Sequence, residues 1–138
     1  MTMDAALMSP PRRLSVPIDN RWGAGKMAVL DFGDPNRAVD LIFSHANGFN
    51  AATYRSLLSP LSSSLRIWAP DLRGHGRTGL PAQPQGRRSW KDHRDDLIGL
   101  LDAVDGPPVA LAGHSIGGTS GLMAAAERPD RASPRPRA

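Results

Sequence analysis

Six consecutive residues, Gly113-His114-Ser115-Ile116-Gly117-Gly118, have the types and spacing for nucleophilic chemistry. An apolar run, Val109-Ala110-Leu111-Ala112, precedes them, and a helix-compatible run, Leu122-Met123-Ala124-Ala125-Ala126-Glu127, follows. This order puts Ser115 on a sharp turn between a strand and a helix, where only very small neighbours fit at positions 113 and 117. Such a turn pushes the serine hydroxyl clear of the main chain. The helix N-terminus beneath it offers free N–H groups to a developing negative charge. The pattern G-x-S-x-G has only three fixed positions, and an idle serine in a glycine-rich turn would read the same. The elements upstream must decide.

Those elements follow a consistent order. Leu14-Ser15-Val16 and Met27-Ala28-Val29-Leu30-Asp31-Phe32 read as two strands joined by a turn around Asn20-Arg21-Trp22-Gly23, an opening hairpin. Val39-Asp40-Leu41-Ile42-Phe43-Ser44 is nearly all apolar, as a strand buried on both faces should be, and ends in His45-Ala46-Asn47-Gly48-Phe49. After Asn50, a helix cap, Tyr54, Leu57, Leu58 and Leu61 recur at helical spacing until Pro60 ends or kinks the pattern. Leu65-Arg66-Ile67-Trp68-Ala69 is a fourth strand, closed by Pro70 and leading into Asp71-Leu72-Arg73-Gly74-His75-Gly76-Arg77-Thr78-Gly79. Ser89-Trp90-Lys91-Asp92 reads as a capping box for a helix whose apolar face is Trp90, Leu97, Leu100, Leu101 and Val104. Strand, helix, strand, helix, strand, helix specifies a mostly parallel sheet covered on both faces.

Other chemistries are tested and set aside. Gly23-Ala24-Gly25-Lys26 is not a phosphate loop, because Asn20 stands where a glycine is needed and Met27 where Ser or Thr is needed. Gly74-His75-Gly76-Arg77-Thr78-Gly79 spells a dinucleotide fingerprint, yet Pro81, Pro84 and Gly86 forbid the helix that would hold a pyrophosphate. His93 among Asp92, Asp95 and Asp96 has no second ligand set at metal spacing, so the cluster reads as a solvated helix face. Net charge is +4 and the arginines are scattered. Aromatic residues make up only 5% and do not alternate with them, which argues against a nucleic-acid surface. There are no cysteines, no apolar stretch long enough to span a membrane and no secretory apolar run near Met1, so a cytoplasmic location is expected. No metal or organic cofactor is expected either.

With these residues assembled, the chain resembles the N-terminal half of an α/β-hydrolase of the serine-nucleophile branch. Three stretches carry the likeness: His45-Ala46-Asn47-Gly48-Phe49 resembles the family's oxyanion loop, Asp71-Leu72-Arg73-Gly74-His75-Gly76 its loop after the fourth strand, and Gly113 to Gly118 its nucleophile elbow. The resemblance implies an α/β fold, incomplete, with about five strands and three helices. Residues 1–12 would be a disordered leader, 13–130 the hydrolase portion and 131–138 a basic Pro/Arg tail. It implies Ser115 as a nucleophile on an acyl carbon, with backbone N–H groups of Ile116 and Asn47 as the oxyanion donors. Serine at 115 speaks against the dehalogenase and epoxide-hydrolase branches, which carry aspartate there. His45, His75 and His114 are not expected to serve as the base: His45 more plausibly fixes the oxyanion loop, His114 points away from Ser115 by strand alternation, and His75 is a glycine-flanked loop residue.

In this family the triad acid and histidine follow the serine, whereas the 23 residues after Ser115 offer Glu127 and Asp130 and no histidine. The tail Ala132-Ser133-Pro134-Arg135-Pro136-Arg137-Ala138 is expected not to form a buried strand. Two readings stay open. One is an esterase- or lipase-type hydrolase forming an acyl-enzyme at Ser115 on a small-molecule acyl substrate, truncated and inactive as this chain. The other is a non-catalytic fragment that self-associates or takes a partner strand along a bare fifth-strand edge.

Overall fold

The computed structural model describes residues 10–82 and 89–133. The expected leader up to residue 9, the helix-breaking Pro84 and Gly86, and the tail from Pro134 lie outside the described residues.

The elements run β1 (Arg12–Ile18), β2 (Gly25–Phe32), β3 (Leu41–Ser44), a helical stretch made of a 3-10 turn (Ala51–Tyr54), α1 (Arg55–Leu58) and a second 3-10 turn (Ser59–Ser63), then β4 (Ile67–Pro70), α2 (Lys91–Ala103), β5 (Val109–Gly113), α3 (Ile116–Glu127) and β6 (Ala132–Ser133). They form one mixed sheet of order β1-β2-β4-β3-β5-β6. β1 and β2 are an antiparallel hairpin and β2 meets β4 antiparallel, while β3 is parallel to both β4 and β5. This is the expected architecture, an α/β fold whose mostly parallel sheet opens with an antiparallel hairpin.

Strand alternation sorts the apolar residues onto the two faces of the sheet. Ile42 and Val109 join Leu72, Leu97, Leu100, Leu101 and Ile116 in the core beneath α2 and α3. Leu41, Phe43, Ile67, Ala69 and Ala110 point the other way, onto Leu58 and Ala51 of the helical stretch. Each such leucine taken fully out of water stabilises the fold by about 1.5–3 kcal/mol. At the far end of the sheet, Arg66 binds both oxygens of Asp31 at 3.0 Å, tying β4 to β2.

Three sequence expectations are corrected. The helix after Asn50 keeps its cap, with Asn50 Oδ1 accepting from Thr53 N–H at 3.1 Å, but it is broken into three short turns. Pro60 lacks the N–H that a continuous helix needs, and the tighter 3-10 winding turns the apolar stripe out of phase. Leu58 is buried while Leu57 and Leu61 are exposed. The helix after Ser89 starts one residue later than a cap at Ser89 sets it: α2 begins at Lys91 with Trp90 as its N-cap, and Lys91 N–H reaches Ser89 Oγ at 3.4 Å. The first turn of α2 is not a solvated face, because Asp92, His93 and Asp96 are all buried where the helix meets the loop after β4.

A fourth difference concerns the sheet edge. Ala132–Ser133 makes a sixth strand, parallel to β5 and paired with Val109 and Ala110. Arg131 seats it by donating to the carbonyls of Gly106 and Val104, both at 2.8 Å. Pro134 follows at once, and a proline has no N–H to extend such a ladder.

Candidate active site

The turn between β5 and α3 has the conformation its glycines predict. Ser115 sits at φ 57°, ψ −118°, the one non-glycine residue with positive φ among the described residues. A left-handed backbone costs an L-residue about 1–3 kcal/mol, and surrounding contacts have to hold it there. Those contacts come from close backbone packing. A Cβ on Gly117 would fall on the Ser44 carbonyl at the end of β3, and a Cβ on Gly113 would meet the Gly117–Gly118 peptide. His114 N–H donates to that same Ser44 carbonyl at 3.0 Å, locking the elbow to β3. The result is an exposed Ser115 at the N-terminus of α3, with no side chain among the described residues bonded to its Oγ.

In the loop after β3, the N–H groups of three residues are engaged. Ala46 N–H donates to Tyr54 Oη at 2.9 Å, Gly48 N–H to His75 Nε2 at 3.0 Å, and Phe49 N–H to the Ala46 carbonyl at 3.1 Å. Asn47 N–H has no intramolecular partner among the described residues, and neither does Ile116 N–H at the start of α3. Asn47 is exposed, and the first N–H groups of a helix have no intrahelical partner, so both donors are open to water or a ligand. These are the two N–H groups that the sequence nominates for the oxyanion.

The histidines divide as their partners dictate. His45 is fully buried: its Nε2 accepts from Leu72 N–H at 2.9 Å, so its proton sits on Nδ1, 2.7 Å from the Ala46 carbonyl. Burial pushes the His45 imidazole below its ordinary range, with the neighbouring His75 acting in the same sense and the bond to Ala46 opposing. His75 packs edge-on against His45 at 4.9 Å between ring centres. His114 is exposed and shares a 2.9 Å hydrogen bond with Tyr54 Oη, with Phe49 stacked on its ring at 6.5 Å. Tyr54 therefore joins the elbow to the loop after β3 through a single hydroxyl. The sequence reading missed that link, since 60 residues separate Tyr54 from His114.

Beneath the loop, Arg73 is fully buried and spends all its donors. It binds both oxygens of Asp96, at 2.8 and 2.7 Å, and the carbonyls of Trp22, Gly23 and Pro81. Burial pushes the Asp96 carboxyl up, against the pull of Arg73 and Asn20. No cluster of three or more histidine and carboxylate groups placed to hold a metal ion occurs among the described residues. No helix of the described residues is long and apolar enough to cross a membrane.

Comparison with known proteins places this arrangement. The model of the alpha/beta hydrolase family matches residues 41–137. A 2-(acetamidomethylene)succinate hydrolase of Mesorhizobium japonicum is 33% identical over 113 residues, covering 82% of this chain and 39% of the relative. An epoxide hydrolase of Caballeronia sordidicola is 37% identical over 92 residues, covering 66% of this chain and 28% of the relative. The crystal structure of an epoxide hydrolase from Vigna radiata superposes with a TM-score of 0.75 at 25% identity, over 91% of this chain and 39% of that one. The chain thus spans well under half the length of each of these proteins.

Proposed function

We propose that this chain, which belongs to the alpha/beta hydrolase family, carries the nucleophile and oxyanion hole of a serine hydrolase of esterase type. Ser115 Oγ attacks the acyl carbon of a small-molecule substrate, the carbonyl oxygen takes the negative charge, and the N–H groups of Ile116 and Asn47 receive it. Collapse of that intermediate expels the alcohol and leaves the acyl group on Ser115 for water to remove. The observation that carries this reading is the strained, exposed Ser115 at the head of α3, with the unengaged Ile116 N–H next in the chain and the unengaged Asn47 N–H in the loop that Tyr54 ties to the elbow. Several relatives carry the name of hydrolase, and a serine at the elbow favours acyl transfer over the epoxide and haloalkane chemistry that other relatives are named for.

The base is not among the residues described. None of the histidines here bonds to Ser115, and no histidine follows it in the sequence. Removing a triad member typically lowers kcat by several orders of magnitude while leaving oxyanion-hole stabilisation in place. The expected behaviour is slow, stoichiometric reaction with a fluorophosphonate probe and no measurable ester turnover. Labelling is lost in Ser115→Ala. Equal labelling of that variant would overturn the assignment.

A second reading is favoured by the sheet edge. Among the described residues, β5 is paired on its outer side at Val109 and Ala110 alone, and Leu122 on α3 is 74% exposed. Both features suit strand addition by another chain or by a second copy.

A further inference from the structure

We propose that His75 is a positioning residue for the oxyanion loop, and that it holds the loop in working shape only while its ring is neutral. The link to catalysis rests on the roles given above to Ser115 and Asn47 N–H. The switch in the loop stands on hydrogen-bond geometry alone.

His75 Nδ1 lies 2.9 Å from the Arg73 carbonyl. A carbonyl only accepts, so Nδ1 carries a proton in every state that keeps this bond. Nε2 lies 3.0 Å from Gly48 N and also 3.1 Å from Asn47 Oδ1. The first is a donor and the second an acceptor, and an imidazole nitrogen offers one lone pair or one proton. The ring can therefore satisfy one of the two at a time. Neutral, it accepts from Gly48 N–H. Protonated, it donates to Asn47 Oδ1 and leaves Gly48 N–H facing another N–H.

The backbone at this point has room to respond. Gly48 sits at φ +84° with nothing within 4 Å of where a Cβ would stand. On the other flank Ala46 N–H is held by Tyr54 Oη, a group that His75 does not touch. Protonation thus frees one end of a loop whose other end stays anchored, and Asn47 N–H lies between them. Among the described residues, the titratable groups near the ring are His45 from the end of β3 at 4.9 Å, His93 from α2 at 6.1 Å, and Asp71 in the same loop. Asp71 is itself occupied, accepting from Ala51 N–H at 2.8 Å and Arg77 N–H at 2.9 Å.

The test uses the full chain, labelled with nitrogen-15, followed by NMR between about pH 5 and pH 8, where imidazoles titrate. Above its midpoint His75 should show the tautomer protonated on Nδ1, and the Gly48 amide should move with that same midpoint. In His75→Gln the side-chain carbonyl still accepts from Gly48 N–H but cannot titrate, so the Gly48 step should vanish. In His75→Phe the Gly48 amide should exchange about five- to tenfold faster, as expected for one lost hydrogen bond. A Gly48 resonance that ignores His75, or titrates unchanged in His75→Gln, overturns the switch. The rate of fluorophosphonate labelling, measured in parallel, should fall on the acid side about tenfold further in the parent than in His75→Gln. Identical acid limbs in the two overturn the link to the oxyanion hole. A Gly48 step without any labelling supports the loop switch and overturns the serine reading instead.

Discussion

Ser115 holds a conformation that its own side chain disfavours, which ties reactivity to a local cost. Glycine enters this region freely but loses about 0.5–1 kcal/mol through the greater freedom of the unfolded chain, against about 1–3 kcal/mol of strain relieved. Ser115→Gly is therefore expected to raise stability by about 1 kcal/mol in urea unfolding while abolishing probe labelling. A loss of stability would mean that the elbow is not strained. His45 makes a second prediction at this scale. Its folded ring is held below the ordinary imidazole range by burial, so it stays neutral where the unfolded ring, with an ordinary value of 6.5, takes up a proton. The unfolded state then binds more protons than the native state, and stability falls as pH drops through that value. The slope contributed by one such group approaches about 1.4 kcal/mol per pH unit. Urea midpoints measured at neutral and mildly acidic pH should show this loss. His45→Gln, starting from a lower stability because its contacts with Leu72 and Ala46 are disturbed, should show a shallower one.

Among the elements, α2 carries more than its apolar stripe. Leu97, Leu100 and Leu101 pack on the sheet as their spacing predicts, and a periodic pattern of this kind is visible in any window of the sequence. The opposite face is not legible in the same way. Asp96 reads as one more surface acid until Arg73, 23 residues away, and Asn20, 76 residues away, converge on its two oxygens. The strands and the strand-to-helix turn at Ser115 could be read locally because each depends on neighbours within a few positions. The Arg73–Asp96 pair, the Tyr54–His114 bond and the placement of His75 depend on tertiary proximity, which a single sequence does not encode in any local pattern. Arg73 joins the hairpin turn, the loop after β4 and α2 into one unit. Asp96→Asn leaves a buried guanidinium without its counter-charge, and breaking such a pair costs about 3–5 kcal/mol. A urea midpoint close to that of the parent would show that the unit does not depend on the charge.

For the molecule as a whole, the two flanks of the sheet are finished differently. On one side β1 closes against β2 over seven paired residues, and its outer face carries Arg13, Ser15 and Pro17, the charged and proline-bearing edge that resists further pairing. On the other side β6 pairs with β5 at Val109 and Ala110, and among the described residues no strand pairs with the outer edge of β5 beyond Ala110. Leu122 stands exposed on α3, the helix whose Gly121 packs over Leu111 of β5. An open strand edge and an exposed leucine favour association through strand addition, and the covered flank gives it no competing route. Light scattering should therefore give a mass above the 14.8 kDa of one chain, rising with protein concentration. Leu122→Lys places a charge on α3 and should return the mass toward a monomer without lowering the melting temperature, because the leucine buries little in the single chain. A parent that stays monomeric at every concentration would remove the support for the edge as a binding surface. The proposed chemistry at Ser115 would be untouched, since the elbow is built from contacts with β3 on the inner side of the same strand.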